Sequence, residues 1–246
     1  MQAYFVSDIH LRSMQEVNAR LFVRFLKSLQ VKDGVTHLFL VGDIFDFWIS
    51  DHKYFIEKFE PIVTEIQRLV KDGIAVHYFE GNHDLYLKNY WTNRLGVKVY
   101  TEHEVFKLNG FKVRVEHGDL IDLTDKGYLF LKKVLHTPVM QFIAESSPEG
   151  FIAKIGERAS QASRYYTSNI KTQKVESTID KIRLHAHKKI KETEFDYIIS
   201  GHLHVRDEYS FVWGGKKVHS INLGSWMHEP CAYKITEKTA GFMKIV

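Results

Sequence analysis

"GIAVHYFEGNHDLYL", residues 73–87, is an apolar, β-prone run that ends in three consecutive polar side chains, Asn82, His83 and Asp84, before apolar residues resume. A turn alone would use Asn and Asp readily, because both tolerate left-handed backbone angles and bond the chain locally. What the trio means therefore depends on its neighbours. Upstream, "AYFVSD" (residues 3–8) reads as a strand, and Val17, Leu21, Phe22, Phe25, Leu26 and Leu29 then fall on one helical face. "THLFLVGD" (residues 36–43) is a second strand, followed by a helical pattern through Tyr54, Phe55, Phe59, Ile62, Val63, Ile66, Leu69 and Val70. Strand, helix, strand, helix, strand in this order predicts an α/β fold, with helices packed on a buried sheet.

Each of these strands ends in polar residues: Asp8 and His10, Asp43 and Asp46, then Asn82 to Asp84. Open α/β sheets bind ligands beyond the carboxyl ends of their strands, so the clusters are expected to converge on one rim. "EVFKLNGFKVRVEHGD" (residues 104–119) adds a hairpin with Asn109 and Gly110 at its turn and His117 to Asp119 at its exit. Residues 122–193 change character. "GYLFLKKVLHTPVMQFIAE", "FIAKIGERASQASRYY" and "VESTIDKIRLHAHKKIKE" all carry helical patterns, with a break near Ser146 to Pro148. Strand-like sequence returns in "FDYIISGHLH", "KKVHSINLGSW" and "CAYKIT". The pattern predicts one domain over residues 1–246, a β-rich core with a helical insertion at about 122–193, and no long repeat or linker.

The 246 residues, 44% of them hydrophobic, suffice for one large core. Lys and Arg exceed Asp and Glu by only 34 to 30; a net charge of +4 mildly favours anionic partners without specifying nucleic acid. Fourteen histidines are a stronger clue, since imidazole combines metal binding with proton transfer near neutral pH. The single cysteine, Cys231, excludes an intramolecular disulfide framework and fits a reducing compartment, with the cytoplasm the simplest address. "MQAYFVSDIH" lacks the basic-then-apolar pattern of a secretory signal, and no apolar run approaches the roughly 20 residues needed to span a membrane.

Taken together, the polar turns are "SDIH", "GDIFD", "GNHD", "EHGD" and "GHLH". They offer carboxylates, an amide oxygen and imidazoles, a nitrogen and oxygen donor set suited to borderline first-row cations. Two such cations about 3.5 to 4 Å apart could share a carboxylate and ready a water for in-line attack on phosphorus. Each segment alone is weak: Asp8 could cap a helix, and His202 and His204 could simply alternate at a strand end. Asp46 and Asp119 read as turn or supporting residues, Asp51 and His52 as a solvated loop, and His136, His185, His187 and His219 as structural or exposed.

The five segments in this order resemble the calcineurin-like metallophosphoesterase superfamily. That resemblance implies a sandwich of two β-sheets flanked by helices, and two divalent metal ions. Asp8, His10, Asp43 and His204 would surround one ion, and Asp43, Asn82, His117 and His202 the other, with Asp43 as the bridge. It also implies that His83 faces the substrate phosphate as a catalytic residue and that Asp84 orients it.

Within the superfamily, "YFVSDIHL", "LFLVGDIFDFWISD", "VEHGDLID", the helical insertion and "NLGSW" are similar to the UDP-2,3-diacylglucosamine diphosphatases of lipid A biosynthesis. This implies a UDP-linked acylated glucosamine as substrate, UMP and 2,3-diacylglucosamine 1-phosphate as products, and Mn2+ as the metal. One departure stands out: the branch often carries Arg where this chain has His83, trading a fixed charged fork for a titratable group. In the insertion, Tyr128, Leu129, Phe130, Leu135, Phe142, Ile143, Phe151, Ile152 and Ile155 could line an acyl-chain cleft. Lys132, Lys133, Lys154, Arg158 and Arg164 could face anionic lipid or diphosphate, which gives peripheral contact with the cytoplasmic face of the inner membrane. The alternative for these residues is an ordinary helix-pair core with solvated basic faces. By resemblance, Ser160, Ser163 and Arg164 are candidates for the sugar phosphate. Two other function classes stay open at this point: a nuclease or other phosphodiesterase, which the modest charge disfavours, and a scaffold that has shed its metals, against which the full donor set argues.

Overall fold

The computed structural model describes residues 1–155 and 175–246. Its first half holds strands β1 (Gln2–Val6), β2 (Val35–Val41), β3 (Trp48–Ile49), β4 (Ala75–Phe79), β5 (Asp84–Leu85), β6 (Lys98–Tyr100), β7 (Glu104–Leu108) and β8 (Phe111–Val115). The C-terminal part adds β9 (Tyr197–Ser200), β10 (Arg206–Trp213), β11 (Lys216–Leu223), β12 (Cys231–Ile235) and β13 (Ala240–Lys244). Helices α1 (Val17–Ser28), α2 (Lys53–Lys58), α3 (Glu60–Lys71), α4 (Lys126–Leu135), α5 (Pro138–Ser146) and α6 (Val175–Glu192) connect them, with residues 149–155 also helical.

Two sheets form the centre. The first runs β13-β12-β1-β2-β4-β6, with β1, β2, β4 and β6 parallel; the second runs β10-β11-β9-β8-β7, with β8, β9 and β11 parallel. Side chains alternate across the first sheet because successive strand residues point to opposite faces. Ala3, Phe5, Phe39, Val41 and Phe79 meet Val113, Val115, Ile199 and Ile221 of the second sheet, while Tyr4, Val6, Leu38, Leu40 and Tyr78 pack under α1 and α3. A sheet buried on both faces explains why these strands read as nearly unbroken apolar runs. Phe5 and Phe39 stack at 4.4 Å in the middle of the sandwich, where replacing Phe5 by Ala would cost about 3–5 kcal/mol. On the outer face of the second sheet, Ala186 and Ile190 of α6 cover Ile198, Phe211 and Val218. The layers are therefore helix, sheet, sheet, helix, as expected for a two-sheet sandwich flanked by helices.

Some elements depart from the sequence pattern. The continuous periodicity from Tyr54 to Val70 breaks at Phe59 into α2 and α3, because Pro61 in the first turn of α3 has no amide to continue the earlier helix. The run from Gly127 to Glu145 likewise splits at Thr137, whose hydroxyl caps α5 ahead of Pro138. The Asn109–Gly110 turn does close the hairpin: both residues have positive φ, 51° and 86°, between the paired Leu108 and Phe111. Within the insertion, Ile152 is 2% exposed and belongs to the main core, so it lines no open cleft, whereas Phe130, Phe142 and Phe151 lie exposed. Arg158, Ser160, Ser163 and Arg164 lie outside the described residues. Among the described residues no helix is long and apolar enough to cross a membrane.

Candidate metal centre

Parallel strands in both sheets point their carboxyl ends at one rim, and each polar motif starts there. Asp8 follows β1, Asp43 follows β2, Asn82 follows β4, His117 follows β8 and His202 follows β9. Backbone bonds lace these loops together: Asp8 N–H donates to Gly42 O at 3.1 Å, His10 N–H to Asp43 O at 3.1 Å and Gly201 N–H to His117 O at 2.8 Å. Asp8, His10, Asp43, His202 and His204 all hold left-handed backbone angles, with φ between 51° and 68°. Such angles cost non-glycine residues roughly 1–2 kcal/mol each and persist only where the surroundings over-determine them, as at functional sites.

The side chains converge as two adjoining groups. Ligand-type atoms of Asp8, His10 and His204 lie within 4.8 Å of one another, as do those of Asp43, His117 and His202. Asp43 Oδ2 stands between the groups, 3.9 Å from His10 Nε2 and 3.6 Å from His117 Nε2. Asn82 Oδ1 is 3.3 Å from the same His117 nitrogen, and His10 Nε2 is 3.0 Å from His204 Nε2. His117 donates its Nδ1–H to Val41 O at 2.9 Å, which turns Nε2 inward, the arrangement usual for a ligating imidazole. All seven expected ligand residues thus reach this one cluster.

The residues present fit a pair of divalent cations. Asp8 Oδ1 and His202 Nδ1 are buried with no hydrogen-bond partner among the described residues, a costly state for polar atoms unless a ligand satisfies them. Asp8 and Asp43 are 0% and 1% exposed, and two buried carboxylates need countercharge. The glycines of the motifs make the close approach possible: a Cβ on Gly81 would lie 2.1 Å from Asp43 Oδ1, and one on Gly201 would lie 2.3 Å from Asp8 Oδ2.

In the chain alone, protons supply the countercharge. Burial pushes His10 and His202 down to about 4, leaving neutral imidazoles. Burial acts the same way on His117, but the charge and hydrogen bond of Asp43 outweigh it and raise His117 to about 10. His83 is also raised: burial opposes the shift, and Asp43 with the Asp46 carbonyl overcomes it. Asp43 is held well below the usual carboxylate range, against burial, by His117 and His83.

The opening trio divides its work differently from expectation. His83 donates Nδ1–H to Asp46 O at 2.8 Å, so a backbone carbonyl and not Asp84 orients it. Asp84 instead accepts from Asp43 N–H at 3.0 Å, Gly81 N–H at 2.8 Å, Ile44 N–H at 3.0 Å and Tyr78 OH at 2.6 Å. Adjacent residues at the start of β5 point to opposite sides, which puts this carboxylate under the Asp43 loop. Asp84 therefore holds the backbone of a candidate ligand; burial, with Asp43's charge, raises it to about 6.

Other residues join that the expected ligand set left out. Asp46 brings a carboxylate within 4.8 Å of His10 and His83 donors. From "NLGSW", Ser225 Oγ donates to Asp8 O at 3.0 Å and Asn222 Nδ2 to Gly201 O at 2.8 Å, so this segment clamps two ligand loops at once. Asp119 accepts from Tyr128 OH at 2.6 Å and Lys132 Nζ at 2.5 Å, tying α4 to the rim. His52 is no solvated residue: it is 5% exposed and bonds Ala144 O at 2.8 Å and Glu149 at 3.2 Å. His185, read as structural or exposed, is buried against Glu116.

Comparison with known proteins follows the same lines. The calcineurin-like phosphoesterase family profile matches residues 1–206. The chain is 26% identical over 243 residues to UDP-2,3-diacylglucosamine hydrolase of Photorhabdus laumondii, covering 97% of each. It is 28% identical over 233 residues to the protein of that name from Cellvibrio japonicus, covering 93% of this chain and 92% of the relative. Among solved structures, it is similar to a novel archaeal phosphodiesterase at 13% identity and a TM-score of 0.49, over 100% of this chain and 99% of that one.

Proposed function

The chain belongs to the calcineurin-like phosphoesterase family, and from that premise we propose that it splits the diphosphate of UDP-2,3-diacylglucosamine, giving UMP and 2,3-diacylglucosamine 1-phosphate, with Mn2+ as the preferred metal. The observation that carries the metal chemistry is Asp43 Oδ2 standing between the His10 and His117 nitrogens at 3.9 and 3.6 Å. The substrate rests on nearly end-to-end similarity to hydrolases of that name.

Asp8, His10, Asp43 and His204 would hold one cation, and Asp43, Asn82, His117 and His202 the other. When bound, the pair supplies positive charge that polarises phosphoryl oxygens and favours ionisation of a water in the site. The chain's own residues do the rest. Gly81 and Gly201 let the loops close on the two carboxylates, and Asp84 fixes the backbone from which Asp43 projects. His83, anchored through Nδ1 to Asp46 O, directs Nε2 into the site, where its proton stabilises charge on the departing phosphate oxygen. Its ring sits 4.9 Å from His10, so it reaches a group held at the first cation.

The insertion supports a substrate with acyl chains. Phe130, Phe142 and Phe151 are 71%, 69% and 56% exposed, and exposed Lys133 and Lys154 follow Phe130 and Phe151 in the sequence of the same helical segments. Exposed aromatics with interspersed lysines fit peripheral contact with the inner-membrane surface that carries such a substrate, with the domain itself in the cytoplasm. Ser160, Ser163 and Arg164 stay candidates for sugar-phosphate contact, by resemblance alone.

The deciding experiment incubates the manganese-loaded protein with UDP-2,3-diacylglucosamine and identifies products. UMP release is expected. Its absence, with simple phosphodiesters still cleaved, rejects the substrate and keeps the reaction class. That outcome is the second reading, another metallophosphodiesterase, and the presence of His83 in place of arginine favours it.

A further inference from the structure

Beside the metal cluster lies a cavity of about 790 Å3 that the mechanism above does not use. His117 and Asp119 form its wall towards the cluster; Phe79, Leu120 and Leu129 add apolar surface, and Lys88, Lys133 and His136 stand around it. At its lining is Arg114 of β8, only 2% exposed.

Arg114 is bound in an unusual way for a buried guanidinium. Its Nε donates to Glu116 Oε2 at 2.7 Å, and the other oxygen of Glu116 meets His185 Nε2 of α6 at 2.5 Å. Both oxygens of Glu116 are thereby engaged. Arg114 Nη1 and Nη2 have no hydrogen-bond partner among the described residues, although a buried guanidinium normally satisfies its whole fork. Of the other carboxylates on the wall, Asp119 is engaged by Tyr128 and Lys132 and Glu80 by the Leu87 amide, and Glu102 is exposed to solvent. A planar pair of N–H groups, fixed from behind by an ion pair and open in front, matches two oxygens of a phosphate.

We propose that Arg114 makes this cavity a second phosphate subsite, contiguous with the metal centre and separate from it. Its ligand is a phosphate-type oxyanion from one of two sources. One is the phosphate of the diphosphate substrate that is not attacked, an assignment that rests on the proposed function; the other is a free phosphate or phosphomonoester. Glu116 and His185 hold Arg114 in place and touch no ligand.

The test compares wild type, Arg114→Gln and Arg114→Lys as manganese-loaded proteins. It measures kcat and KM for UDP-2,3-diacylglucosamine and for bis(4-nitrophenyl) phosphate, and the thermal shift given by inorganic phosphate. If the substrate's own phosphate docks here, Arg114→Gln raises KM for the diphosphate at least about tenfold, leaves the simple diester within about twofold, and Arg114→Lys recovers part of the loss. If a free oxyanion docks here, KM is unchanged and the phosphate-induced thermal shift shrinks in Arg114→Gln. Failure of wild type to cleave the diphosphate would sink the substrate reading only, and the thermal shift would still decide the subsite. Equal loss on both substrates, or a phosphate response and KM values that match wild type, would overturn the proposal and leave Arg114 as a strut between β8 and α6.

Discussion

The metal cluster and the helical insertion sit against one another yet are built by opposite means. At the cluster, Asp8, Asp43 and Asp84 are 0 to 1% exposed, and backbone bonds tie each loop to its neighbour. In the insertion, α4 contains no buried residue and α5 only Ala144. Polar ties attach these two helices, Tyr128 and Lys132 to Asp119, Asn89 to Glu145, His52 to Ala144 and Tyr86 to Leu135, beside a small apolar contact of Leu135 and Ala144 with Ile49, Leu85 and Tyr86; α6, by contrast, packs on the second sheet through Ala186 and Ile190. The difference separates two tasks. Chemistry needs atoms fixed to a fraction of an ångström, so it sits on strand ends inside a close-packed sandwich. Under the proposed function, selection of a lipid-linked substrate would fall to the exposed apolar surface of α4 and α5, a layer with little core of its own.

If that division holds, substitutions in the cluster abolish turnover of every substrate, whereas substitutions in the insertion discriminate among them. Asp43→Ala should have the largest effect: loss of paired metal content by elemental analysis and a fall of at least about a hundredfold in hydrolysis of any phosphodiester. Near-normal metal content would contradict the bridging role. If His83 acts on the substrate as proposed, His83→Ala should lower kcat about 10²- to 10⁴-fold while metal content stays at wild-type level. A parallel fall in metal content would make His83 a structural element of the cluster.

Asp84→Asn comes next. It keeps the shape but cannot accept all four bonds, so it should weaken metal affinity about 10- to 100-fold and lower stability by about 1–3 kcal/mol. Metal titration and denaturation curves check both. The smallest effect on chemistry belongs to the double change Phe130→Ser and Phe142→Ser. Turnover of a simple diester and thermal stability should match wild type, since both rings are exposed, while binding to anionic lipid vesicles weakens several-fold. A loss of stability would mean the rings pack more than their exposure indicates.

The pH dependence of metal loading sharpens the same contrast. His117 is raised above its unfolded value to about 10, so in the metal-free chain its pairing with Asp43 stabilises fully below about 6.5 and is lost as pH rises through 10. A cation competes with that proton, so metal affinity should rise with pH across the neutral range and each loading event should release protons. A pH-independent affinity between 6 and 8.5 would contradict this.

How much was legible in the sequence follows from the same physics. Strands buried on both faces and helices with a single apolar face leave clear periodicities, which is why β1, β2, β4, α1 and the 104–119 hairpin could be read directly. The donors could be read as well, because a strand that ends at once in a polar, ligand-type residue is a local pattern. Roles set by distant packing could not. The family resemblance made Asp84 the partner of His83, but the pleat sends their side chains apart. His52 and Arg114 carried no local signal, and the motifs holding Asp46 and Asn222 did not show what those residues touch, since what fixes each comes from elsewhere in the chain. The breaks at Phe59 and Thr137 were signalled by Pro61 and Pro138, which a purely apolar periodicity ignores.

Paired metal chemistry at this rim requires two cations sharing Asp43. Crystals of the manganese-loaded protein, with anomalous differences collected at the manganese edge, test this most directly. Two adjacent peaks are predicted, one beside Asp8, His10 and His204 and one beside Asn82, His117 and His202, with the Asp43 carboxylate reaching both. A single peak, or two peaks that Asp43 does not join, would contradict it.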